Sequence, residues 1–138
     1  MKISSESDYA IRILLYMSNN KKITLSGRDI VVACHIPEKL GLRILTRLSS
    51  ADLLHSAKGI NGGFTFMRSP ESISLLDIIK IFDKIELSRC IDSPESCNLK
   101  HGNCIVCKEF EIIRDDLIKK FASISLKYLI EKENSNQV

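Results

Sequence analysis

Residues 26–66 hold the pattern that most restricts what this chain can fold into. A helix is predicted from Ser26 to about Cys34, with Ile30, Val31 and Ala33 turned inward. Pro37 then takes a position that a first helical turn tolerates, opening a second helix to about Ser50. Only His35-Ile36 lies between them, and two helices joined this tightly make a helix-turn-helix unit. The run Leu53-Leu54-His55-Ser56-Ala57-Lys58-Gly59-Ile60-Asn61-Gly62-Gly63-Phe64-Thr65-Phe66 follows at once. Its three glycines and an asparagine, set between short apolar runs, predict a β-hairpin. Phe64 and Phe66 alternate with Thr65, so one face of the hairpin packs and the other is wet. A helix-turn-helix followed by such a hairpin is a winged helix, so the fold class is mainly α with a small β-hairpin wing.

The helix after the tight turn sorts by face. Leu40, Ile44, Leu45 and Leu48 form a core stripe, while Lys39, Arg43, Thr46 and Arg47 fall on another side. Three cations there suit a helix resting on phosphates and guanine edges, although Glu38 beside them weakens the case and a merely solvated basic face would look alike. Gly41 costs about 1 kcal/mol of helix propensity relative to alanine, which implies a close approach at that point. Charge is divided in the same sense. Residues 1–68 hold ten Lys/Arg against five Asp/Glu, and residues 69–138 hold ten against twelve. The basic half predicts a polyanionic partner, with Arg28, Lys39, Arg43, Arg47 and the wing's Lys58 as the DNA-facing set. His55 receives no role.

Flanking elements complete the outline. A first helix starts at Ser5, with Asp8 three residues later as its capping-box partner and Ile11, Leu14 and Leu15 at helical spacing. Ser74 precedes a short apolar helix, Leu75–Phe82. From Lys108 to about Lys132, Phe110, Ile113, Leu117, Phe121, Ile124 and Tyr128 make a near-heptad seam. A helix of that length suits dimerisation better than burial in a monomer of this size. The polar end, 133–138, reads as a frayed tail. At 138 residues, 44% apolar and 27% charged, the chain is about one soluble globular domain.

Four of the five cysteines, Cys90, Cys97, Cys104 and Cys107, fall within eighteen residues, spaced by six, six and two. Disulfides belong to oxidising compartments. The opening Met-Lys-Ile-Ser-Ser-Glu-Ser-Asp has no secretory pattern and no apolar run is long enough to span a bilayer, so the expectation is a cytoplasmic protein with no membrane partner. Clustered thiolates in that setting select zinc or an iron–sulfur cluster over hard cations. Structural zinc sites favour two close pairs, and this chain has one, Cys104 and Cys107, so spacing alone leaves both metals open. Cys34 stands apart on an apolar helix face as a buried thiol.

Several stretches together resemble a known family over nearly the whole chain. They are Met1-Lys2-Ile3-Ser4, Asp8-Tyr9-Ala10-Ile11-Arg12, Leu53-Leu54 with Ser56, Lys58-Gly59-Ile60-Asn61-Gly62-Gly63-Phe64, Ile73-Ser74-Leu75-Leu76-Asp77-Ile78-Ile79, and three spaced cysteines. The chain resembles the bacterial winged-helix regulators of the IscR/NsrR family, the iron–sulfur-cluster and nitric-oxide-sensitive regulators. The resemblance implies a homodimer joined through the long C-terminal helix and a palindromic operator on double-stranded DNA. It also implies an iron–sulfur cluster held by Cys90, Cys97 and Cys104, whose state alters DNA binding. The chain departs from the family in having six residues rather than five between its first cysteines, which leaves 2Fe–2S and 4Fe–4S both open. One branch of the family has a histidine ligand at the position of Cys107. Another has an aspartate at the position of Asp8, reaching across from the second subunit. Asp8 is preferred as fourth ligand with Cys107 as a spare, and the choice stays open.

The sequence therefore reads as a regulator, a repressor, and not as an enzyme. Residues 1–83 form the winged helix-turn-helix domain, 84–107 the cysteine-rich cluster loop, 108–132 the dimerisation helix and 133–138 a flexible tail. The alternatives are a winged-helix regulator with structural zinc and a small iron–sulfur electron-transfer protein. The second gives no reason for a cationic helix and a glycine-rich wing.

Overall fold

A computed structural model of the chain describes residues 1–98 and 104–137. Helix α1 (Ser5–Asn19) turns Ala10, Ile13, Leu14 and Met17 into the core, where each is at most 5% exposed. Its cap is Ser4, one residue earlier than the sequence suggested, and the Ser4 hydroxyl accepts from the Ser7 N–H. Asp8 is not the capping partner. It lies one residue beyond the third helical position that Ser4 caps, and it pairs with Arg12 one turn on, at 2.8 Å.

Helices α2 (Gly27–Ala33) and α3 (Glu38–Ser50) form the helix-turn-helix. Ser26 caps α2 by accepting from the Asp29 N–H. His35 takes a left-handed φ of 54° to reverse the chain, and the Ile36 N–H returns to the Val31 carbonyl at 3.0 Å. That folds Ile36 into the core. Gly41 meets the close approach its propensity cost implied, since a Cβ there would run into the side chains of Val31 and Ile36.

Strands β1 (Leu54–Ala57) and β2 (Gly63–Phe66) pair antiparallel, with Leu54 opposite Phe66 and Ala57 opposite Gly63. The wing gains a third partner that the sequence did not suggest. Leu25 exchanges two backbone hydrogen bonds with Phe64, at 3.2 and 2.8 Å. Gly63 is required there, because the Leu25 carbonyl occupies the space of a Cβ. The wing is thus tied to the entrance of α2, which fixes its angle to the helix-turn-helix.

Helix α4 (Leu75–Phe82) begins with the full capping box of Ser74 and Asp77 and buries Ile78 and Ile79. A short helix, α5 (Arg89–Asp92), precedes α6 (Ile105–Ser123) and α7 (Leu126–Asn136). The seam read as one helix over 108–132 is therefore two helices. Ile124 leaves helical geometry because its carbonyl accepts from the Leu75 N–H, while the Leu126 N–H donates to Ile73, each at 2.8 Å. Ser125 then caps α7 by accepting from the Tyr128 N–H. The segment expected as a frayed tail is helical to Asn136, and Glu133 accepts from the Asn19 side chain at 3.0 Å. Leu126 is fully buried, so α7 closes the core over α1.

Burying one Ile or Leu contributes about 1.5–3 kcal/mol, and this single cluster links α1, α2, α3, α4, the hairpin and α7. Gly41→Ala tests the tightest contact in it. Overpacking costs about 1–3 kcal/mol, which outweighs the propensity gain of about 1 kcal/mol. The expected outcome is a lower urea midpoint, with destabilisation of up to about 2 kcal/mol.

Candidate nucleic-acid interface and cysteine site

The outward face of α3 carries Lys39, Leu42, Arg43 and Thr46, all exposed. Lys58 follows β1 at the wing tip and is also exposed, beside the fully exposed Ile60. Lys39 and Lys58 form no ion pair among the described residues. Arg28, on the first turn of α2, lies 3.3 Å from Glu38 in an exposed pair. Such a pair contributes about 0–1 kcal/mol, so Arg28 can exchange its partner.

The other two cations are tied to Glu6 on α1. Arg43 pairs with one Glu6 carboxylate oxygen, and Arg47 lies 2.9 Å from the other. Arg47 also donates to the Ile81 carbonyl and lies 4.5 Å over the Phe82 ring. Although its position on α3 pointed to DNA, its side chain joins α1, α3 and α4. Arg43 stays 63% exposed and is held in this way by Glu6 alone.

Just below this group sits a cluster that the sequence did not reveal. Asp83, the residue that ends α4, accepts three hydrogen bonds on one oxygen. They come from the Ser4 N–H at 3.0 Å, the Ser4 hydroxyl at 3.0 Å and the buried Ser7 hydroxyl at 2.6 Å. Partial burial pushes the Asp83 carboxyl up, but the Ser7 and Ser4 hydrogen bonds and the Arg47 charge together hold it below the usual carboxylate range. The serines at positions 4 and 7 were the only sequence sign of it, and neither was given a role there.

The cysteine segment begins directly after Asp83. Cys90 lies on α5 with its sulfur 2.9 Å from the Ser88 hydroxyl, and Cys97 follows a single 3-10 turn, Pro94–Ser96. Cys104 immediately precedes α6, and Cys107 lies in its first turn with its sulfur 4.0 Å from the Cys90 carbonyl. Arg114 on α6 reaches Asp92 on α5 at 3.8 Å and fastens the two helices. All five cysteines are free thiols and half-buried. Burial pushes the Cys107 thiol up, and the nearby Cys90, Glu111 and Cys104 add to it. Neighbours that resist a second thiolate are what a bound cation would relieve. The cysteine donors thus fit a soft metal centre in kind, and Cys107 lies near both Cys90 and Cys104. Yet among the described residues no three His, Cys, Asp or Glu side chains are gathered to hold a metal. Asp8 is engaged by Arg12. Cys34, expected as a buried thiol, is only half-buried at the end of α2, and that burial raises its thiol, partly offset by Arg12.

A tight two-helix unit, a cationic face on its second helix and a basic hairpin beside it define a winged-helix DNA-binding protein. No helix among the described residues is long and apolar enough to cross a membrane. Comparison with known proteins narrows the class. Residues 3–132 match the Rrf2 family, described as iron-dependent transcriptional regulators, and the chain belongs to that family. The HTH-type transcriptional regulator NsrR of Halalkalibacterium halodurans is 26% identical over 145 residues, covering 99% of this chain and 95% of that protein. Among solved structures, T. potens IscR superposes with a TM-score of 0.79 at 19% identity, covering 100% of this chain and 92% of that one. CymR of B. subtilis, described as the global cysteine regulator, gives 0.73 at 21% identity over 96% and 98%. The chain is thus a transcription regulator and not an enzyme.

The Asp83 cluster sets a pH dependence. Its carboxyl lies lower in the fold than the value of about 3.9 expected when unfolded, so its stabilisation is present above that value and is lost as pH falls through the folded one. Asp83→Asn is expected to unfold at lower urea than the parent at pH 7, with the gap closing below about pH 4. A gap that is the same at pH 3 and pH 7 would show that the ionised carboxylate contributes nothing.

Proposed function

We propose that this chain is a cytoplasmic homodimeric repressor whose binding to a palindromic operator is controlled by an iron–sulfur cluster. The observation that carries the reading is the position of the cysteines. Cys90 and Cys97 follow directly on the Asp83 cluster, while Cys104 and Cys107 open α6. A ligand bound by these thiols would bear on both the DNA-binding half (1–83) and the helix that follows. Membership of a family described as iron-dependent supports iron as that ligand.

Cys90, Cys97 and Cys104 would hold the cluster, with Asp8 of a second copy as the preferred fourth ligand and Cys107 as the alternative. A bound cluster would supply a redox-reactive centre. Asp8 suits a weak and exchangeable role, because it lies exposed on α1 and already trades its charge with Arg12. Arg43 would read a base edge, with Arg28, Lys39 and Lys58 on phosphates and Arg47 chiefly fixing the angle of α3. Dimerisation would use α6. None of its residues is buried, and Val106, Phe110 and Ile113 are 57%, 38% and 52% exposed along one stripe. Contiguous exposed apolar stripes mark association surfaces.

One specific observation favours a second reading, structural zinc, namely the close pair Cys104 and Cys107 at the start of α6. Purification without oxygen, with assays for iron, sulfide and zinc, separates the two. The expected protein is brown, contains iron and acid-labile sulfide, and bleaches in air. A colourless protein holding only zinc would refute the cluster. Asp8→Ala is expected to shorten the lifetime of the cluster. If it matches the parent while Cys107→Ala holds no cluster, the fourth ligand is Cys107.

A further inference from the structure

Resting on the reading of α3 as the DNA-facing helix, we infer that Glu6 is an internal competitor with DNA for Arg43. Glu6 places both carboxylate oxygens on α3 guanidinium groups, and its side chain is 25% exposed. The two arginines differ in how firmly they are held. Arg47 is fixed in addition by the Ile81 carbonyl and the Phe82 ring, so it stays with the fold. Arg43 is 63% exposed and can leave. When it turns to DNA, Glu6 keeps Arg47 as its partner, so the carboxylate is never left without a cation. That makes the exchange inexpensive and reversible.

The location of Glu6 is also determined. It lies in the first turn of α1 between Ser4 and Ser7, the two serines bound to Asp83. Asp83 leads directly into the segment that carries Cys90 and Cys97. Displacement of that segment would therefore move the carboxylate relative to Arg43 and change how many cations α3 offers to a duplex. Glu6 acts in this scheme as a positioning residue for DNA binding, in addition to any contact that α1 makes in the core.

The test uses the full reduced chain and a fluorescent 30-base-pair duplex of mixed sequence, titrated across a range of salt. On such DNA the charge of Arg43 still counts, because non-specific binding is electrostatic. Glu6→Gln is expected to bind about two- to five-fold more tightly, the reach of a solvent-exposed ion pair. Its salt slope should steepen by up to about 0.9, the value of one added phosphate contact. Arg43→Ala should bind more weakly than the parent. In the Arg43→Ala background, Glu6→Gln should change affinity by less than about twofold, since the competed group is gone. A loosened α1 would instead act in both backgrounds, and circular dichroism melts of each variant report it separately. Equal or weaker binding by Glu6→Gln, or a gain that persists without Arg43, overturns the inference. If Arg43→Ala weakens binding while Glu6→Gln changes nothing, only the role of Glu6 fails. If parent and Arg43→Ala bind alike, the docking of α3 fails and takes this inference with it.

Discussion

Burial of the Ala10–Ile13–Leu14–Met17 stripe of α1 is the constraint on which the rest of the molecule depends. α2, α3, α4 and α7 all pack on this one helix. The recognition helix therefore has no independent seat. Its Ile44, Leu45 and Leu48 are buried in the core that it shares with α1, and the wing is tied to the entrance of α2 by the Leu25–Phe64 bridge. Truncating a side chain such as Leu14 in a shared core of this kind costs about 2–5 kcal/mol, much of the stability of a small domain.

The same helix is bonded at its start to the end of α4. Ser4 and Ser7 hold Asp83, and Glu6 holds Arg43 and Arg47, so six consecutive contacts join the α4 terminus to the outer face of α3. Hydrogen bonds and ion pairs with alternative partners shift more readily than packed aliphatic side chains. The molecule thus combines an apolar centre with a polar seam that runs from the residue before the cysteine segment, Asp83, to the outer face of α3. This placement is what makes control of α3 from the cysteines physically reasonable.

Much of this was legible in the sequence where the signal was local. The His35-Ile36 turn and the glycine hairpin each declare themselves within a few residues, because φ preferences act at that range, whereas the capping box read at Ser5 and Asp8 is absent and one stands at Ser74 and Asp77. Gly41 even announced a close contact through its unfavourable propensity. What failed to show depended on distant partners. The apolar seam from Phe110 to Tyr128 runs unbroken through Ile124, and only the backbone of residues 73–75 explains why the helix stops there. Arg47 lies on the cationic face by periodicity, yet its long side chain turns to Ile81 and Phe82. Asp83 is a single acid at a helix end, with no pattern around it that could mark it as the point where α1 and α4 meet.

The cysteines declare soft donors and a spacing in the sequence, but not how a loop would close around a metal. Whether that site governs DNA binding is the central claim. It is tested most directly by measuring operator affinity on one anaerobically purified sample, before and after the cluster is removed. Coupling of about 1–3 kcal/mol between two sites would change the dissociation constant about 5- to 150-fold. The account predicts a change of that size in the same folded protein. An identical dissociation constant with and without the cluster would contradict it.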